Sequence, residues 1–63
     1  GAIRALEALV RARPDERESR LNLAWLYAEA GRRTDARRQL ETLLRQFPED
    51  REARRRLAAL EAI

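Results

Sequence analysis

Few side chains in this sequence have the type and spacing for covalent or acid–base chemistry. Two adjacent acidic pairs, Asp15–Glu16 and Glu49–Asp50, could in principle supply a general acid and base. Each stands just after a proline, where a helix start needs acceptors for its free amides, so capping accounts for them without catalysis. Ser19 is the single serine, and no His, Cys or Lys is present to activate it. That composition excludes imidazole or thiolate zinc ligands, cysteine or histidine nucleophiles, and Schiff-base chemistry. No cofactor is expected, and the chain is not expected to be an enzyme.

The remaining charged candidate is Arg54–Arg55–Arg56. Collected on one face, such a run would bind phosphate with steep salt dependence, and a single-strand nucleic-acid binder would interleave aromatics, of which only Trp25 is at hand. All fourteen basic residues are Arg against eleven acids, a net charge of +3. The charges are mostly interspersed at helical spacing: Glu7/Arg11, Glu16/Arg20, Glu41/Arg45, Asp50/Arg54 and Glu52/Arg56 all place the acid four residues before the base. Each such pair is worth roughly 0.2–0.5 kcal/mol. A solvated end helix with ion pairs to Asp50 and Glu52 is the plainer reading of the arginine run.

The elements that position these residues follow from composition and punctuation. At 63 residues, with 44% apolar and 40% charged residues, two Gly and two Pro, the chain is expected to be one small helical domain or a fragment of a larger array, and not two domains. The longest apolar run, Leu23–Ala28, falls far short of the roughly 20 residues of a membrane span. Slid against itself by 34 residues, the sequence gives fourteen identities in twenty-nine pairs, among them Ala2/Ala36, Leu6/Leu40, Leu9/Leu43, Pro14/Pro48, Leu23/Leu57 and Ala24/Ala58. A fixed period of this size marks stacked repeats. Pro14 and Pro48 end helices, Asp15 with Glu18 reads as a capping-box variant, Gly31 supplies a left-handed stop, Thr34 or Asp35 caps the next helix, and Glu49 or Asp50 opens the last. The spacing predicts antiparallel helices at about 2–12, 16–30, 35–46 and 50–62. Apolar stripes fall on Ala2, Leu6, Leu9 and Val10 in the first helix, on Ala36, Leu40, Leu43, Leu44 and Phe47 in the third, and on Leu57, Ala58 and Leu60 in the fourth. The second is apolar nearly all round, as a helix with neighbours on more than one side should be.

In these residues the chain resembles the tetratricopeptide repeat, a 34-residue helix-turn-helix unit of all-α solenoids. The family's Leu–small pair is Leu23–Ala24, its aromatic Tyr27, its turn glycine Gly31, its Ala and bulky residue on the second helix Ala36 and Leu40, and its closing proline Pro48. Arg20 stands where the family usually has Trp or another large apolar residue, and Leu43 is larger than the usual Ala. The resemblance implies a half repeat at 1–16, a full repeat at 17–50 and a C-terminal capping helix at 51–63. In that last helix Arg54, Arg55 and Glu61 stand where a following repeat would require apolar residues.

The same resemblance implies a protein-interaction or scaffold module whose concave groove, lined by the first helix of each pair, holds a peptide or helix of a partner protein. The lining residues would be Glu18, Leu21, Asn22, Trp25, Ala28 and Glu29, with Glu52, Arg55, Arg56, Ala59, Ala62 and Ile63. Trp25 has two readings, an anchor for the partner or the largest apolar side chain of the core, whereas Tyr27 is expected in the core. Asn22 and Arg56 sit where a carboxylate-clamp branch keeps Asn and Arg, but Glu52 replaces that branch's Lys. Arg-mediated nucleic-acid or anion binding, and a purely structural oligomerisation element, are the alternatives. The apolar Ala2, Leu6 and Leu9 of the first helix, whose partner in a complete repeat would be a preceding helix, imply either a longer parent protein or self-association through that helix. The Arg-only basic composition points to a GC-rich bacterium, and the lack of cysteine suits its cytoplasm or periplasm equally.

Overall fold

The computed structural model describes residues 1–62, and Ile63, expected on the groove, lies outside the described residues. The architecture is all-α. Four helices follow one another as α1 (Ala2–Ala12), α2 (Arg17–Glu29), α3 (Arg33–Gln46) and α4 (Arg51–Glu61). Each packs against its neighbour in sequence, with α2 against α3 the most extensive contact. Helix-turn-helix pairs therefore succeed one another as the 34-residue period requires.

The turns explain the boundaries. Arg13 and Phe47 precede the two prolines and take nearly the same extended conformation, φ −133°, ψ 72° and φ −132°, ψ 78°, because proline's ring excludes the helical region for the residue before it. Between α2 and α3, Gly31 adopts φ +79°. The Arg32 amide donates to the Tyr27 carbonyl at 2.8 Å and the Gly31 amide to that of Ala28 at 3.1 Å, the Schellman pairing of a glycine-terminated helix.

This tight stop corrects the expected start of α3. The chain has already reversed at Arg32, so the helix begins at Arg33, and neither Thr34 nor Asp35 is its cap. Asp35 instead sits in the first turn and accepts from Arg32 Nε at 2.9 Å. The expected Asp15–Glu18 box is corrected as well. The cap of α2 is Glu16, and its carboxylate receives the hydroxyl of Ser19 three residues on. At α4 the acceptor is Asp50, which takes the Ala53 amide at 3.0 Å.

Two clusters form the core, one on each side of α2. Leu21, Ala24, Leu40, Leu43 and Ala53 join α2, α3 and α4, with Leu44, Leu57 and Leu60 against them. Val10, Leu23, Tyr27 and Ala36 join α1, α2 and α3, with Ile3 and Leu6 added. The expected stripes are narrower than drawn. Val10 is the buried residue of α1, while Ala2 and Leu9 are exposed; Phe47 and Ala58 are exposed too, and the buried residue of α4 is Ala53. An outer helix touches neighbours on one side only, so half of a broad apolar stripe stays uncovered.

Of the five expected i,i+4 ion pairs, only Glu52–Arg56 forms among the described residues, at 3.2 Å. Other partners displace three of the rest, while Glu41–Arg45 simply does not form. Arg20 is buried, donating to Gln39 Oε1 at 2.9 Å and to the Pro14 carbonyl at 3.1 Å. Glu7 accepts from the Tyr27 hydroxyl across the α1–α2 interface. Asp50 binds Arg17 rather than Arg54, whose Nη2 donates to the Pro48 carbonyl at 2.6 Å.

Candidate functional site

The helical period sets which side chains α2 can offer. Leu21, Ala24 and Ala28 lie toward α4, and Trp25 stands one residue further round, at the rim. Trp25 is 49% exposed, the most exposed large apolar residue described. Its ring borders a cavity of about 220 Å³ between α2 and α4. Ala24, Ala28 and Glu29 of α2, Leu40 of α3, and Arg56, Ala59 and Leu60 of α4 complete the wall. Small residues on both helices open the space, and the leucines form an apolar floor.

Five of the expected lining residues, Trp25, Ala28, Glu29, Arg56 and Ala59, are thus gathered around one concavity. Asn22 and Arg55 are exposed but outside the cavity wall, so Asn22 and Arg56 are not brought together there. Leu21 requires a correction. It is buried in the α2–α3–α4 core with Ala24, Leu40, Leu43 and Ala53, because α3 and α4 close over the start of that face of α2, and it offers a partner no surface.

The polar edge of the groove is an ion network. Arg17, the first residue of α2, reaches the start of α4: its Nη2 donates to Asp50 Oδ1 at 3.1 Å and to Glu52 Oε1 at 2.9 Å, and its Nε donates to the second Asp50 oxygen. Arg56 Nη2 donates to the other oxygen of Glu52 at 3.2 Å. The Arg17 guanidinium, with the Ala53 amide behind it, holds the Asp50 carboxyl down at about 2. Glu52 is likewise held below its ordinary range by Arg17 and then Arg56, and Arg17 is raised in turn by Asp50. The network ties the start of α4 to the start of α2. Arg56 Nε, on the groove side, is buried and has no hydrogen-bond partner among the described residues.

The arginine run does not form one patch. Successive helical residues point about 100° apart, and Arg54 turns to the Pro48 carbonyl, Arg55 to solvent and Arg56 to Glu52 and the groove. The acidic pairs act at helix starts: Glu16 binds Ser19 and Arg13, Asp50 binds Ala53 and Arg17, and Asp15 and Glu49 are exposed in turns. Tyr27 is buried as expected, with its hydroxyl pushed up to about 12 by burial and then by Glu7. The Arg32 guanidinium lies 4.5 Å from its ring centre. Among the described residues, no helix is long and apolar enough to cross a membrane and no acidic cluster has the arrangement of a metal site.

The Arg17 network is not foreseen from the sequence. Its partners lie 33 and 35 residues away, and the one available signal was the repeat itself, which places an Arg at the first position of both α2 and α4. Leu40 and Leu60 as groove floor are not foreseen either, since they belong to stripes that read only as core.

No curated protein and no solved structure matches the chain significantly. A family model described as tetratricopeptide repeat matches residues 1–60. Together with four antiparallel helices in helix-turn-helix succession, that match over nearly the whole length means that the chain belongs to the tetratricopeptide repeat family.

Proposed function

We propose that the chain uses the groove between α2 and α4 to hold a peptide or helical segment of a partner protein. Its family generally mediates protein–protein interaction. The observation that carries the finer reading is Trp25, half exposed at the rim of an apolar concavity beside the buried Ala24. An indole there offers a large, rigid contact area of the kind that dominates binding hot spots. The mechanism is burial of one or two apolar partner side chains against Trp25, Ala28 and Leu60. Arg56 and Glu29 bracket that contact and fix the orientation of the segment.

A peptide-display selection on the folded chain, followed by affinity measurements on Trp25→Ala and Arg56→Ala, tests this reading. Loss of a hot-spot aromatic costs about 2 kcal/mol or more, some 30-fold in Kd. Selected peptides should therefore lose most of their affinity for Trp25→Ala while the variant keeps its helical circular dichroism. Peptides that bind both variants as well as the parent chain would remove the groove from the mechanism.

A further inference from the structure

The repeat offset makes the two ends of the molecule copies of its own interior. Thirty-four residues separate α1 from α3 and α2 from α4, so the packing of α2 on α3 and α4 shows what each end would look like if covered. Ala36 and Leu43 are fully buried in α3, and their counterparts Ala2 and Leu9 on α1 are exposed. Leu23 and Ala24 are buried in α2, while their counterparts on α4 are the half-buried Leu57 and the exposed Ala58.

The charges repeat too. Arg17 at the start of α2 bridges Asp50 and Glu52 at the start of α4. One period on, Arg17 becomes Arg51, the first residue of α4; one period back, Asp50 and Glu52 become Glu16 and Glu18 at the start of α2. Arg51 is exposed and makes no ion pair among the described residues, and Glu18 is exposed with only the adjacent Arg17 as partner. Each end therefore holds half of an arginine–carboxylate bridge that the interior already forms.

We propose that a second copy of this chain docks end to end on the first, the α1–α2 end of one against α4 of the other. Arg51 enters between Glu16 and Glu18 of the second copy, and Leu57 and Ala58 cover its Ala2, Leu6 and Leu9. This is a heterologous contact that does not close on itself, so association continues past the dimer as concentration rises. Two counterparts are more polar than the interior they repeat, Arg55 for Leu21 and Glu61 for Tyr27, which makes the joint weaker than the internal one and sensitive to salt. The proposal is independent of the α2–α4 groove, which lies on another face.

Sedimentation equilibrium on the chain, on Arg51→Glu, on Glu18→Arg and on their equimolar mixture tests it. The parent chain should show a weight-average mass that climbs with concentration. Arg51→Glu, favourable in a first helical turn and so still folded, should weaken association by about tenfold or more, as a reversed charge at a contact does. Mixing Arg51→Glu with Glu18→Arg should restore association, because every joint in an alternating stack then pairs opposite charges. Ala58→Glu, at an exposed position of α4, should weaken association as Arg51→Glu does, and serves if Glu18→Arg loses its helical signal. A parent chain that stays monomeric up to about 1 mM, beyond any useful affinity, overturns the proposal. So does association indifferent to Arg51→Glu and Ala58→Glu, or a mixture no better than its components.

Discussion

Arg20 shows how a single residue departs from its family and still fits. It occupies a position that usually carries a large apolar side chain, and it meets burial by donating to Gln39 and to the Pro14 carbonyl. Its Nε remains buried with no partner among the described residues, and an under-bonded buried cation costs stability. Arg20→Met keeps the length of the stem and removes the charge, and the Pro14 carbonyl retains Gln46 Nε2 at 3.1 Å. Chemical denaturation should find Arg20→Met within about 1 kcal/mol of the parent or more stable, whereas Arg20→Ala, which empties the space, should lose roughly 2 kcal/mol. A loss above about 2 kcal/mol in Arg20→Met would show that the guanidinium bonds outweigh the burial of the charge.

At the scale of the element, what the sequence made legible is what depends on local backbone preference. Pro14, Pro48 and Gly31 act within a residue or two, and the leucines at helical spacing, Leu23, Leu40 and Leu43, can only face inward. Whether Leu21 or Trp25 faces the core depends on how α4 docks, and periodicity along α2 does not contain that. The same limit hid Arg17 from Asp50 and Glu7 from Tyr27, pairs set by helix docking across a turn, and gave three of the i,i+4 pairs a role that other partners took. The α2–α3 turn offers a clean test of a local cause. A Cβ at Gly31 would meet nothing within 4 Å, so the cost of a substitution is conformational alone, at φ +79°. Gly31→Ala should lose roughly 1 kcal/mol and Gly31→Asn less, since Asn tolerates the left-handed region. Equal losses, read from thermal melts, would point to contacts instead of backbone.

For the whole molecule, the ion network ties the groove to acid stability. Asp50 titrates at about 2 in the folded chain, below its ordinary carboxylate value, so the unfolded chain binds the proton first and acid favours unfolding. Glu52 and Glu16 are shifted in the same direction. Their stabilisation is complete above the unfolded carboxylate range and is lost as pH falls through the folded values. Tm should therefore be flat near neutrality and drop between about pH 4 and 2. Asp50→Asn keeps a capping acceptor for Ala53 while losing the charge that Arg17 binds. It should melt lower at pH 7 and show a shallower acid slope; an unchanged slope would mean that other carboxylates carry the acid sensitivity.

The partner segment we propose lies across α2 and α4 against Trp25. The most direct measurement is a two-dimensional NMR titration of the labelled chain with a peptide taken from the display selection. The Trp25 indole N–H and the amides of Ala28, Glu29, Arg56 and Ala59 should move together and saturate, while Arg11 and Gln39 on the opposite side stay in place. Saturating shifts confined to Arg11, Gln39 and their neighbours, with the indole unmoved, would contradict that placement.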